Sequence, residues 1–443
     1  MLEPKAGCYA IFEATEEGWE NAEEQMRQIC EDLQAAGIKV VKAPEIVKDE
    51  ESCQRVACYF SNHEIHILIP LIITWSFDHF NYMIWQKKKV PIAIRTIPGI
   101  RTGSVVGGQQ LGAVLKDLGI EHKLFYGPIG DRETAVEIAV YAKAAALKAS
   151  LEGAKFLMLG RRTPGMTPIA FDEVEIMRKF GAIVSTIGMD EFEKFAANID
   201  NASIEEEWKK ILLKAAYVNS SDESGLLAVR NYLAMQKIAR QFNYKGIAIG
   251  SYPECQGKAC LAISLLNDEG IAAGCEGDMN STIAMYLLGQ LSCGPVHFGE
   301  MLEMNYKDNT IISSHCGAAA ISLACREGFV LCPVRLANSG VCVRFKSKTG
   351  PVTYVNLVGR KNTYRMCAFE GTAVETEMVF EGNPMKIEVN SPLKEVWKYI
   401  ADCGFSHHWM AVYSHVVPVL KEFCKLTGIM GVFPDIGIII NCK

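Results

Sequence analysis

The sequence has no long hydrophobic run, no excess of basic residues, no repeated C-x-x-C and no low-complexity tract or internal repeat. Each absence removes a class. The longest apolar stretch, residues 65–75, contains His66 and Pro70 and falls short of the about 20 residues that span a bilayer, so no membrane partner is expected. Against 45 Lys+Arg stand 51 Asp+Glu, a net charge of -6, which leaves no broad basic face for nucleic acid. The first residues show no charged start followed by an apolar block, so the cytoplasm is the expected compartment. The 16 cysteines sit mostly inside apolar segments, as Cys260, Cys332 and Cys342 do. In a chain of 443 residues they read as reduced thiols rather than a disulfide framework. Neither nucleotide-binding glycine signature occurs, which sets aside a NAD-linked dehydrogenase; the segment R-T-G-S-V-V-G-G at 101–108 reads as a helix-start turn.

What is present is alternation. Apolar strands at residues 8–12, 39–43, 65–69, 90–96 and 122–126 are separated by segments with helical spacing, such as 21–36 and 132–147. That interval implies βαβ crossovers and a parallel sheet. A second α/β run starts at Ala154, with strands at 246–249 and 271–275 joined by a helix over 258–266. From about residue 309 to 390 short β-branched segments and turn clusters indicate antiparallel β structure, and helices over 392–403 and 415–426 follow. The expected fold is α/β: two doubly wound parallel-sheet domains, 1–153 and 154–306, then a smaller antiparallel β domain with C-terminal helices, 307–443.

Two turns concentrate acids at the carboxyl ends of buried strands: I-A-I-G-S-Y-P-E-C, ending in Glu254, and I-A-A-G-C-E-G-D-M-N, with Glu276 and Asp278. If their strands are parallel neighbours, about 4.8 Å apart, Glu254 and Asp278 reach one crevice and can share a divalent cation. Two like charges that close need one. A single acid at such a turn is more often a helix cap, and Asp278 stands just ahead of a helix. Of nine histidines, His407, His408 and His415 cluster near the C-terminus, and the adjacent pair His407–His408 offers an imidazole ligand; His315, after a strand, is intermediate. Two carboxylates and one imidazole suit Mn²⁺ or Mg²⁺ better than structural zinc. Such an open site can polarise a carbonyl while a carboxylate moves the neighbouring C–H proton, which is aldose–ketose isomerisation through an enediol. Metal-assisted hydrolysis remains open on these residues alone.

These blocks resemble the L-fucose isomerase / L-arabinose isomerase superfamily, specifically proteins with an L-fucose isomerase-like C-terminal region. The resemblance runs through G-I-A-I-G-S-Y-P-E-C, then L-L-N-D-E-G-I-A-A-G-C-E-G-D-M-N-S-T, D-N-T-I-I-S-S-H-C-G, G-P-V-T and S-H-H-W-M-A-V-Y-S-H, in that order. It implies Glu254 and Asp278 as catalytic metal carboxylates, His408 as the imidazole ligand and Glu276 in a supporting role. It also implies Mn²⁺, with Mg²⁺ or Co²⁺ as alternatives, a monosaccharide substrate, and a homo-oligomer, trimeric or hexameric. Trp75 is the candidate for a tryptophan that in the family reaches a neighbouring subunit's site. His315 and His407 are further candidate sugar contacts, and Arg161 and Arg162, in G-R-R-T-P-G-M, are candidates for an anionic group on a sulfo- or phosphosugar. The sequence departs from the family pattern in Ser251, where a cysteine often precedes the Pro-Glu pair, and in being much shorter than typical L-fucose isomerases. A non-catalytic sugar-binding protein of the same fold is the alternative outside enzymes.

Overall fold

In the first 150 residues the expected alternation yields a five-stranded, all-parallel sheet. Its strands, in chain order Lys5–Ile11, Lys39–Lys42, Ile67–Ile72, Ile92–Thr96 and His122–Tyr126, lie side by side as second, first, third, fourth, fifth. The structure is a computed structural model and describes residues 2–253, 255–292 and 294–440. Burial on both faces explains the continuous apolar strands: all six residues of Ile67–Ile72 are buried. The helices between strands carry local start signals. Asp49 caps Glu50–Ser61 by accepting from Ser52 N at 2.8 Å, a cap worth about 1 kcal/mol. The glycine-rich segment opens the helix Ser104–Asp117, and its glycines serve close packing: a Cβ on Gly108 would stand 2.2 Å from Thr96 Cγ2. Residues 2–150 and 418–426 form one compact unit, in which Lys123 pairs with Glu422 at 3.1 Å.

The second unit comprises residues 151–417 and the chain from Thr427 onward. It contains a four-stranded parallel sheet ordered Ala272–Gly274, Tyr244–Ile249, Lys155–Leu159, Ile183–Ile187. The first two are parallel neighbours, which meets the condition for their two acid-bearing turns to lie side by side.

The same unit holds an antiparallel ring. His297–Asn305 pairs with Thr310–Ser314, which pairs with Met385–Val389, then Arg365–Val374, then Gly350–Val358, then His408–Val412, which returns to His297–Asn305. Closing six strands removes their free edges. Trp409 and Tyr354 stack inside this region at 5.1 Å among Ile311, Phe369 and Ile387. Two sequence expectations change here. Residues 295–300 read as a strand of the preceding α/β run, yet His297–Asn305 pairs only with antiparallel partners. Residues 404–409 read as a turn, yet His408–Val412 is a fully buried strand between the helices Leu393–Cys403 and Val417–Thr427. No helix among the described residues is long and apolar enough to cross a membrane.

Candidate metal centre

The site grows from the turn after the strand Ala272–Gly274. Glu276 and Gly277 occupy successive left-handed conformations, φ +61° and +74°. For a residue with a side chain this costs about 1–3 kcal/mol, so neighbouring structure must impose it. It does. Glu276 N donates to Ser251 Oγ (3.1 Å), its carbonyl accepts from Thr163 N (3.1 Å), and Gly277 N donates to Ile249 O (2.9 Å). A Cβ on Gly277 would stand 2.8 Å from Arg162 Cα, so only glycine fits. The strap 160–163 thus clamps the turn and aims the Glu276 carboxylate.

Two residues on, Asp278 caps the helix Met279–Leu291: Oδ1 accepts from Ser281 N (3.0 Å) and Oδ2 from Ser281 Oγ (2.6 Å). The same Oδ2 lies 2.8 Å from His408 Nδ1. His408 is buried, and its Nε2 faces Glu276 Oε2 at 3.1 Å. Burial alone would lower the His408 pKa, but hydrogen bonds with Asp278 and Glu276 overcome it and raise the value to about 9. Burial would likewise raise the Glu276 pKa, and His407 and His408 hold it well below the usual carboxylate range. Two buried carboxylates around one imidazole demand positive charge.

Strand register adds two more donors. Glu300 stands directly opposite His408 across the antiparallel pair, so both project from one face, while Trp409 turns to the core on the other. His315 follows the next strand, its ring 5.8 Å from that of His408, and Phe298 packs against both at 5.1 and 4.7 Å. Ligand atoms of Glu276, His315 and His408 lie within 4.8 Å of one another, as do those of Glu300, His407 and His408. His408 belongs to both sets. His315 Nδ1 is buried without a hydrogen-bond partner, and His407 Nε2 comes no closer than 4.0 Å to Glu276 Oε2, too far for a hydrogen bond. Unpaired buried nitrogens beside two carboxylates are what a bound cation would satisfy, so the donor set fits a divalent ion with N and O ligands.

The residues singled out from sequence are placed as follows. Asp278, Glu276, His315, His407 and His408 come together. Asp278 approaches through the far nitrogen of His408, the arrangement in which a carboxylate orients a ligating imidazole. Glu254 lies outside the described residues. Arg161 and Arg162 sit in the clamping strap, with Arg162 Nη1 donating to Thr163 O (3.0 Å). Trp75 belongs to the N-terminal unit, where its Nε1 donates to Gln110 Oε1 (2.9 Å). Sequence reasoning missed Glu300. The available signal was period-2 alternation, which puts it on the face of Phe298, but the pairing with His408 cannot be read locally.

No family model matches the chain. A sulfoquinovose isomerase of Alkalicoccus urumqiensis is 24% identical over 359 residues, covering 78% of each protein. A second, from Priestia aryabhattai, is 20% identical over 406 residues, 88% of this chain and 90% of the relative. An L-arabinose isomerase of Herpetosiphon aurantiacus is 22% identical over 345 residues, 73% of this chain and 68% of the relative. Along most of its length the chain is thus homologous to members of the L-fucose/L-arabinose isomerase-like superfamily, and those relatives are sugar isomerases.

Proposed function

We propose that this protein is a divalent-metal-dependent aldose–ketose isomerase working through an enediol, with Glu276, Glu300, His315 and His408 as the residues that would hold the ion. The observation that carries this reading is the convergence of two carboxylates and three imidazoles, two of them with unpaired buried nitrogens. The bound ion would supply polarisation of the sugar carbonyl and its neighbouring hydroxyl. The chain's own residues do the rest. Asp278 fixes the ring of His408 through Nδ1, so that Nε2, facing Glu276, is the nitrogen that would ligate. Glu276, held ionised by its histidine neighbours, anchors the site. Glu300, only half-buried, is the described carboxylate placed to take the proton from the carbon beside the carbonyl and return it to the adjacent carbon. Glu254 is the rival for that role, and substitution separates them. Mn²⁺ is the proposed ion, with Mg²⁺ or Co²⁺ as alternatives, in a cytoplasmic homo-oligomer.

An anionic monosaccharide is the favoured substrate class. The relatives covering most of the chain include sulfoquinovose isomerases, and the Arg161–Arg162 strap is tied to Glu276 through Thr163. The test incubates Mn²⁺-loaded protein with neutral aldoses and with sulfoquinovose in D₂O. Ketose formation with deuterium at the adjacent carbon is expected, and Arg161→Ala or Arg162→Ala should raise KM for the anionic sugar far more than for a neutral one. Full activity after thorough chelation would refute the metal reading. Sugar binding without turnover across the panel would favour a binding protein instead.

A further inference from the structure

The parallel sheet of the second unit has a second crevice that the metal centre does not use. From Lys155–Leu159 the chain runs outward to Ile183–Ile187, then returns to place Tyr244–Ile249 on the opposite side. Strand order therefore reverses between Lys155–Leu159 and Tyr244–Ile249, and in open α/β sheets ligands settle at the carboxyl ends beside such a reversal. Gly160 and Gly250 follow those two strands, and both line a cavity of about 640 Å³ walled by the helices Met189–Ala196 and Asp222–Phe242. That volume suits a small metabolite.

Its lining is apolar on the helix walls, through Phe192 and Met235, and cationic at the rim, through Arg161, Arg230 and Lys258; among the described residues Glu193 is the one carboxylate there. The Arg230 Nε is buried and has no hydrogen-bond partner. The same guanidinium donates through Nη2 to Asn201 Oδ1 at 3.4 Å, which leaves Nε for a ligand to meet. None of Glu276, Glu300, His315, His407 and His408 lines this cavity.

We propose that this crevice is a separate binding site for a small organic anion, a phosphate monoester or a sulfonate with an apolar body: the charged group on Arg230 and Lys258, the body against Phe192 and Met235. Arg161, a candidate contact for the anionic sugar, also stands at this rim, but the groups assigned here are Arg230 and Lys258, and binding alone tests the site. Phenyl phosphate, inorganic phosphate and benzyl alcohol are titrated calorimetrically into the full chain, with and without Mn²⁺. Phenyl phosphate should bind one to one and more tightly than either fragment, equally in loaded and chelated protein and in the presence of sulfoquinovose. Lys258→Ala, at an exposed position that leaves the fold intact, and Arg230→Ala should each weaken it about tenfold, the loss of one charge-assisted hydrogen bond. Absence of binding at millimolar phenyl phosphate would overturn the proposal, as would binding unaffected by the Lys258 substitution. Displacement by sulfoquinovose or dependence on the metal would also overturn it, making the crevice an arm of the isomerase centre.

Discussion

Asp278→Asn is the most informative single change, because two oxygens of that carboxylate accept from three donors. Oδ1 takes Ser281 N, and Oδ2 takes Ser281 Oγ and His408 Nδ1. Asparagine offers one acceptor in place of two. If its oxygen keeps Ser281 N, its NH₂ faces Nδ1 and the imidazole must flip, rotate or carry its proton on Nε2, the nitrogen the metal needs. Losing one charge-assisted bond costs about 1.5–3 kcal/mol. Helix capping survives, since Asn and Asp are comparable N-caps. The expected outcome is a folded protein that still binds one Mn²⁺ per chain but about 10- to 100-fold more weakly. Turnover should recover as Mn²⁺ is raised. Competition against a fluorescent chelator measures the affinity, and a kinetic titration with Mn²⁺ measures the recovery. Unchanged affinity would refute the orienting role. Loss of stoichiometric binding would show that Asp278 ligates directly, as the sequence resemblance implied.

Glu300→Gln should abolish detectable turnover with circular dichroism and sugar binding retained; if Glu254→Gln alone does so, the proton carrier is Glu254. Gly277→Ala should lower the melting temperature markedly, because φ +74° and the approach to Arg162 Cα at 2.8 Å together cost at least about 1–3 kcal/mol, read by differential scanning fluorimetry. His297 is fully buried, with Nε2 donating to Asn383 O, and burial pushes its pKa down to about 4. The unfolded chain, titrating near 6.5, binds more protons between these values, so stability is fully present above 6.5 and falls as pH drops toward 4, by up to about 3 kcal/mol. Urea unfolding at pH 7 and pH 5 should show this loss in the parent and a smaller one in His297→Gln; equal losses would exclude His297 as the source.

Much of the architecture was legible because it depends on local periodicity. Apolar strands separated by helical segments announce parallel sheets, and the acid-bearing turns fall at strand ends wherever those strands pair. The block from Cys275 to Asn280 and the His407–His408 pair were recognisable as chemistry for the same reason: the groups are adjacent in sequence. Long strands of the antiparallel ring were harder to place. Residues 365–374 and 297–305 alternate weakly, and their partners lie far along the chain, so neither sheet membership nor register is encoded nearby.

Sequence alone thus determined the α/β character, the carboxylate-bearing turn, the histidine pair and the resemblance to sugar isomerases, all carried by contiguous residues. Tertiary structure decided which atoms face one another. Antiparallel register set Glu300 against His408, the strap at 160–163 forced Glu276 into a left-handed conformation, and Asp278 came to serve a helix end and an imidazole at once. Those outcomes rest on contacts between segments more than a hundred residues apart, and only the closed fold brings them within hydrogen-bonding distance.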